Sequence, residues 1–182
     1  MCGIVGGVTE RNVVPILVEG LKRLEYRGYD SAGIAFQEQK KIALIKSLGR
    51  VKDLESKIKK NTSSTAGIAH TRWATHGIPS EKNAHPHVSN KNIYVVHNGI
   101  IENHEDLKSE LKSEGFKLYS QTDSEVIGHL IEFYKQRGMD FDSSVMKAIS
   151  RLKGAYALAV MDKNEPETLI GVRQSSPLVV GE

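Results

Sequence analysis

The sequence has very little cysteine: one residue in 182, at position 2. A single cysteine excludes an internal disulfide framework and is typical of proteins that stay in a reducing compartment. Long apolar runs are missing as well, since none approaches the roughly 20 residues that a membrane-spanning helix needs. The N-terminus has neither the basic start nor the long apolar segment of a secretory signal peptide. These absences predict a cytoplasmic protein without a membrane partner.

A strong excess of charge of one sign is also missing. The net charge of +3 results from 25 basic and 22 acidic residues spread along the chain, and only 6% of residues are aromatic. The densest basic stretch, ESKIKK at 55–60, mixes both signs and is interpreted as a solvated helix face. Nucleic-acid binding would need a clustered basic stripe with interleaved aromatic residues. The composition therefore predicts one globular domain over residues 1–182 with no nucleic-acid partner.

Hydrophobic patterning predicts strands and helices in separate groups. The strands are predicted at 3–8, 33–36, 41–48, 66–73, 92–99, 155–162, 168–173 and 177–182, with a polar loop between 73 and 92. The helices are predicted at about 13–24, 51–60, 104–114, 124–137 and 143–152. The candidate caps and stops are Asn12 for the first helix, Thr122 or Asp123 and Gly138 for the fourth, and Gly154 for the fifth. Grouped hairpins and helices indicate an α+β fold, a sheet-rich core covered by helices.

The cysteine lies directly behind Met1 and before Gly3, close to a terminus that is hard to bury. Removal of Met1 would give Cys2 a thiol and a free α-amine on one residue. With reference pKa values of about 8.5 for the thiol and about 7.7–8.0 for the amine, the amine is partly neutral at pH 7 and can accept the thiol proton. That is the N-terminal form of a nucleophile–base pair. The alternative is an incidental cysteine at the second position.

The segment HTRWATHG at 70–77 is a second candidate for chemistry. Arg72 offers a planar guanidinium suited to a carboxylate. Thr75 and His76 add short polar donors. A metal site is the alternative, because His85 and His87 follow nearby, but the histidine spacing matches no zinc signature and no second cysteine is present. Packing in a strand or loop is the other alternative for each histidine.

Two further segments, VVHNGIIEN at 95–103 and SQTDSEV at 120–126, carry polar side chains beside predicted strands and helices. Asn-Gly is first of all a hairpin-turn signal. The Asn98 amide and the Gly99 N–H could instead be two donors aimed at one point, which is an oxyanion hole. Asp123 could cap a helix, which is the favoured interpretation, or its carboxylate could receive an ammonium group.

Together these motifs resemble the class II glutamine amidotransferases. The resemblance rests on Cys-Gly-Ile at 2–4, YRGYDSAG at 26–33, HTRWATHG at 70–77, AHPH at 84–87, HNGIIEN at 97–103 and TDSE at 122–125. It covers essentially the whole chain, in order. Within the class, RLEYRGYDSAG and HTRWATHG favour the glutamine–fructose-6-phosphate aminotransferases.

The resemblance implies a fold, an activity and roles for single residues. The fold is the N-terminal-nucleophile hydrolase type, a four-layer αββα sandwich, and the activity is hydrolysis of L-glutamine to L-glutamate and ammonia. The resemblance implies that Cys2 is the nucleophile with its own amine as base, and that Asn98 and Gly99 form the oxyanion hole. Arg72 would bind the α-carboxylate of glutamine and Asp123 its α-ammonium group, while Thr75, His76 and Gly99 would line the pocket. Arg27 would order the surroundings of the nucleophile, and Trp73 would gate the passage of ammonia. No cofactor and no metal are expected.

The same resemblance implies partners outside these 182 residues. We expect sugar-isomerase domains that accept fructose 6-phosphate and use the ammonia, in a longer chain that forms a homo-oligomer. The chain ends at Glu182, and we expect the amidotransferase domain to extend past this point. The open alternatives are an amidotransferase with another acceptor, a non-catalytic glutamine-binding module and a metal-dependent hydrolase. A retained Met1 would remove the free amine, so activity depends on its removal.

Overall fold

The computed structural model describes residues 2–74 and 76–181, with the backbone alone for Arg27. These residues form two four-stranded sheets in which every strand pair is antiparallel. The first sheet has the order β1-β4-β2-β3, with β1 at Gly3–Val8, β2 at Ser31–Glu38, β3 at Lys41–Leu48 and β4 at Ala66–Arg72. The second has the order β5-β6-β7-β8, with β5 at His87–Ser89, β6 at Ile93–Gly99, β7 at Tyr156–Asp162 and β8 at Leu169–Gln174.

Helices cover the outer face of each sheet. The first sheet carries α1 at Val14–Leu24 and α2 at Val51–Lys57, and a 3₁₀ turn at Glu25–Arg27 follows α1. The second sheet carries α3 at His104–Ser113, α4 at Glu125–Lys135 and α5 at Phe141–Ile149. In the described part of the chain, no helix is both long and apolar enough to cross a membrane.

The two sheets pack face to face through a third buried layer, which includes Ile68 of β4, Val96 of β6 and Ala159 of β7. Side chains alternate along a strand, so Ala69 faces α1 while Ile68 faces the other sheet. The layers therefore run helix, sheet, sheet, helix, which confirms the predicted αββα sandwich of an α+β protein.

The structure agrees with the predicted hairpins and corrects several boundaries. The pairs β2–β3 and β7–β8 are antiparallel as predicted. A short strand, β5, lies inside the region predicted as a polar loop. Residues 177–181, predicted as the start of a strand, form none. Gly154 is not the stop of the fifth helix, because α5 ends earlier, at Ile149.

Several residues that were assigned to turns or caps have a different place in the structure. The Asn12 amide oxygen accepts the N–H groups of Val14 and Ser64, while α1 begins after Val13. Helix α4 begins after Ser124 and has no side-chain cap, so the capping prediction for Thr122 or Asp123 is wrong. The hairpin-turn alternative for residues 98–99 is also wrong, because both pair with β7 at the end of β6.

Close packing of β2 under the segment at 85–86 makes Gly33 a sensitive position. A Cβ at Gly33 would lie 2.0 Å from the His85 carbonyl oxygen, so Gly33→Ala has to push two backbones apart. We expect a loss of about 1–3 kcal/mol in the free energy of unfolding, measured in urea. Gly128→Ala in α4 is the matched control, since its Cβ would meet only ordinary contacts at 3.5 Å or more. It should be neutral or stabilising by up to about 1 kcal/mol, and an equal loss for both variants would contradict the packing argument.

Candidate active site

A cleft of about 840 Å³ opens where β1 begins and β4 and β6 end. Strands β1 and β4 are antiparallel, with Gly3 opposite Thr71, so the first residue before β1 lies beside the last residues of β4. Side chains from both sheets line the cleft: Cys2, Ile4, Arg72, Trp73, His76, His85, His97, Asn98, Gly99, Asp123 and Ser124 are among them. The fold thus brings together most of the residues that were predicted from separate motifs.

Cys2 is held by the backbone of Trp73 at the end of β4. The Trp73 N–H donates to Cys2 Sγ over 3.1 Å, and the thiol in turn lies 3.5 Å from the Trp73 carbonyl oxygen. Burial raises the pKa of the Cys2 thiol, against the smaller lowering effects of the Trp73 N–H and the Arg72 charge. The thiol is therefore protonated at neutral pH, and a nucleophilic role requires a base that takes its proton.

Asn98 and Gly99 end β6 on the other side of the cleft. The Asn98 amide nitrogen donates to the Cys2 carbonyl over 3.4 Å, while its amide oxygen lies 2.9 Å from His70 Nε2. Gly99 has a φ of +129°, and a Cβ there would lie 2.1 Å from the Ala155 carbonyl oxygen, so only glycine fits. Both residues of the predicted oxyanion hole line the cleft beside Cys2.

Arg72 brings a buried positive charge to the cleft. Its Nη1 lies 3.4 Å from the Asp30 carboxylate, and its Nη2 donates to the carbonyls of His76 and Gly77. The guanidinium therefore ties the segment after Trp73 to the end of β4. His76 lines the cleft in this position. Because the Arg72 side chain is only 4% exposed, its charge acts in a poorly screened environment.

Asp123 places a buried negative charge at the same cleft. Its carboxylate accepts the Ile101 N–H over 2.8 Å and the Ser124 hydroxyl over 3.3 Å. Within residues 2–74 and 76–181, Asp123 forms no ion pair with a side chain. A buried carboxylate with neutral partners only is suited to receive a cationic group.

Trp73 lies at the mouth of the cleft with 53% of its surface exposed. Its ring lies over Gly28, where a Cβ would be 2.6 Å from a ring carbon.

Two residues of the predicted site have no described side chain. Thr75 and the side chain of Arg27 lie outside the described part of the structure.

Sequence reasoning missed the segment at 176–179, which lines the cleft after β8, and predicted a strand from 177 onward instead. The only sequence signal is Pro177 beside residues that lack a strand's polar–apolar alternation. His85, which the sequence offered as a metal ligand or as a packed loop residue within AHPH, accepts the His97 N–H on its Nδ1 and also lines the cleft. Among the residues that the structure describes, no group of three or more histidine, cysteine or acidic residues could hold a metal ion.

The raised pKa of Cys2 predicts how its reactivity depends on pH. Because the thiolate is the reacting form and burial disfavours it, alkylation by iodoacetamide should keep accelerating above pH 9 in the chain that retains Met1. A free thiol would reach half of its maximal rate near its ordinary pKa of about 8.5 and level off roughly one pH unit above it. Cys2 is the only cysteine, so the mass of the intact chain reports the reaction at one site. A rate profile with its midpoint at or below about pH 8.5 would contradict the raised pKa.

Comparison with known proteins places these residues in a family. Residues 70–181 match the glutamine amidotransferase domain family. Over its whole length the chain is 52% identical to the glutamine–fructose-6-phosphate aminotransferase (isomerizing) of Acinetobacter baylyi and 54% identical to that of Haemophilus influenzae. The chain spans 30% of the length of each of these relatives.

Solved structures give the same result for the fold. Glutamine phosphoribosylpyrophosphate amidotransferase from B. subtilis superposes with a TM-score of 0.75 at 27% identity, over 90% of this chain and 35% of that one. A second structure, of the allosteric regulatory enzyme of purine biosynthesis, gives a TM-score of 0.71 at 29% identity over 89% of this chain and 35% of the other. The matched residues include Arg72, Asn98, Gly99 and Asp123, and the chain belongs to the glutamine amidotransferase domain family.

Proposed function

We propose that residues 1–182 form a glutaminase unit that hydrolyses L-glutamine to L-glutamate and ammonia through a γ-glutamyl thioester on Cys2. The observation that carries this proposal is the grouping of one thiol, one amide donor and two opposite buried charges around one cleft. The thiol can attack, the amide can stabilise an oxyanion, and the charges match the two ends of an amino acid. Membership of the family supports the same activity.

The proposed nucleophile needs its own α-amine as base. Removal of Met1 frees this amine, which takes the proton from the Cys2 thiol. The thiolate then attacks the side-chain carboxamide carbon of glutamine, the C–N bond breaks, and the protonated amine gives its proton to the departing ammonia. Water, deprotonated by the same amine, attacks the thioester, releases glutamate and restores the thiol.

Negative charge develops on the carboxamide oxygen in both steps. The Asn98 amide nitrogen donates to the Cys2 carbonyl, and Gly99 lines the same cleft. In this proposal the Asn98 amide and the Gly99 N–H donate to the oxygen on the carbon that Sγ attacks. Donors that are fixed before the reaction stabilise the tetrahedral intermediate without reorganisation.

The amino-acid end of glutamine is bound by charge in this proposal. Arg72 binds the α-carboxylate, and Asp123 binds the α-ammonium group. His76, Thr75 and Gly99 complete the pocket. Opposite charges in a buried cleft select a zwitterion over a simple amide, because an unmatched buried charge is costly.

The acceptor of the ammonia is a further proposal, taken from the names of the relatives. Those of 51–54% identity are glutamine–fructose-6-phosphate aminotransferases, which favours fructose 6-phosphate as the acceptor in attached sugar-isomerase domains. An amidotransferase with another acceptor is the second candidate, and the 27% identity to the phosphoribosylpyrophosphate enzyme favours it less. In this scheme Trp73 guards the passage of ammonia, Arg27 orders the nucleophile, and the whole enzyme is a cytoplasmic homo-oligomer.

The proposed base predicts that the N-terminus controls activity. A chain with verified Met1 removal should release glutamate and ammonia in equal amounts, whereas Cys2→Ala or any residue retained before Cys2 should abolish hydrolysis with the fold intact. Mass spectrometry of the N-terminus and circular dichroism are the controls. Substantial turnover by a sample that retains Met1 would contradict the mechanism. Glutamine binding without turnover by the trimmed chain would instead favour the non-catalytic binding module.

The two proposed kinds of contact predict different kinetic effects. Asn98→Ala should lower kcat by roughly 10²–10³ with little change in KM, because its donor acts on the transition state. Arg72→Ala should mainly raise KM, because the α-carboxylate is bound equally in the ground and transition states. Steady-state kinetics of glutamate formation separate the two, and the reverse pattern would show that the roles are exchanged.

A further inference from the structure

His70 is a buried side chain for which the proposed mechanism has no role. It lies on β4, two residues after Ile68 on the face that meets the second sheet, and it is completely buried. Its Nε2 lies 3.0 Å from the His97 carbonyl oxygen and 2.9 Å from the Asn98 amide oxygen. Its Nδ1 has no hydrogen-bond partner among residues 2–74 and 76–181.

The His97 carbonyl settles which nitrogen of His70 carries the proton. A carbonyl oxygen can only accept, so the contact requires an N–H at Nε2. The ring is neutral, because burial lowers the pKa of His70 to about 3 and outweighs the opposing effect of its hydrogen bonds to Asn98 and the His97 carbonyl. A neutral ring with its proton on Nε2 carries no proton on Nδ1. This agrees with the described residues, none of which accepts a hydrogen bond from Nδ1.

The tautomer of His70 in turn fixes the orientation of the Asn98 amide. If the amide were rotated by half a turn, its NH₂ group would face the Nε2–H of His70, donor against donor. With the amide oxygen on His70, the amide nitrogen has to face Cys2, to whose carbonyl it donates over 3.4 Å. A chain of contacts thus runs from a backbone carbonyl through His70 to the proposed oxyanion donor.

We infer that His70 is a positioning residue that keeps the Asn98 amide nitrogen aimed at the oxyanion. The inference rests on the proposed function, since it concerns the donor that stabilises the tetrahedral intermediate. Stacking of the His85 ring on His70, with centroids 4.1 Å apart, holds the ring plane in place. Without the N–H at Nε2, no contact with His70 favours one orientation of the Asn98 amide over the other. A fraction of the molecules would then present the Asn98 amide oxygen, and not the amide nitrogen, to the oxyanion.

Two replacements of His70 that match each other in length test this inference. His70→Gln keeps an N–H donor at the end of an unbranched side chain, and His70→Met has the same length without a donor. We expect His70→Met to lower kcat roughly 10–100-fold with KM for glutamine nearly unchanged, and His70→Gln to recover at least about tenfold of that loss. His129→Met is the matched control. This buried histidine bonds Ser89, which pairs with Ile93 at the opposite end of β6 from Asn98, and its Nε2 lies 3.5 Å from the Glu125 carboxylate. The kcat of His129→Met should stay within about twofold of the parent.

Equal kcat values for the Gln and Met variants, at whatever level, would overturn the inference. So would a loss in the Met variant that appears in KM alone, or an equal loss in His129→Met. Thermal unfolding of each variant shows whether a lower kcat results from a loss of folded protein.

A measurement without turnover separates this inference from the proposed function. In the ¹⁵N-labelled parent chain, long-range ¹H–¹⁵N spectra should show His70 protonated at Nε2, and the side-chain amide signals of Asn98 should move in His70→Met and less in His70→Gln. A proton on Nδ1 of His70 would overturn the inference. A parent chain that shows the expected tautomer and amide shifts but hydrolyses no glutamine would contradict the proposed function and leave the positioning contact in place.

Discussion

The antiparallel register between β1 and β4 is the constraint on which the rest of the site depends. Gly3 pairs with Thr71, so the residue before β1 lies beside the residues that leave β4, and the Trp73 backbone reaches the sulfur of Cys2. A slip of one residue would turn every side chain of β1 to the opposite face. The thiol would then face the helix layer, away from the second sheet. Each residue of the β1–β4 ladder therefore contributes to aiming Cys2.

The second sheet completes the site by the same alternation. In β6, Val96 faces the first sheet and so does Asn98, whereas His97 faces α4, where its Nδ1 lies 2.7 Å from the Ser124 hydroxyl. The consecutive residues His97 and Asn98 thus contact two different layers, the helix layer and the first sheet. Asn98 reaches Cys2 across the sandwich, and His97 reaches the hydroxyl that bonds Asp123. The short distance between the sheets allows residues from distant parts of the chain to share one cleft.

Much of this arrangement could be predicted because it follows from local patterns. Period-two alternation gave the strands, and a thiol behind Met1 gave the candidate nucleophile, since both depend on neighbours in sequence. The role of Asp123 could not be decided in the same way. A carboxylate before an apolar helical pattern is an ordinary helix-cap signal. Only the tertiary structure brings in the Ile101 N–H, which donates to the Asp123 carboxylate. The contact of His70 with Asn98 was hidden for the same reason, because the two residues are 28 positions apart.

The buried histidines add no charge to the site that holds Arg72, its partner Asp30 and Asp123. Burial lowers the pKa of His70 to about 3 and that of His97 to about 4, and it lowers the pKa of His85 as well. All three rings are neutral at physiological pH, so they add hydrogen bonds to the site and no positive charge. A charged ring at His97, one hydroxyl away from Asp123, would compete for the carboxylate with any incoming ammonium group. In the proposed mechanism, desolvation by the sandwich therefore leaves Arg72 and Asp123 to bind the charged ends of glutamine, and it leaves proton transfer to the α-amine of Cys2 once Met1 is removed.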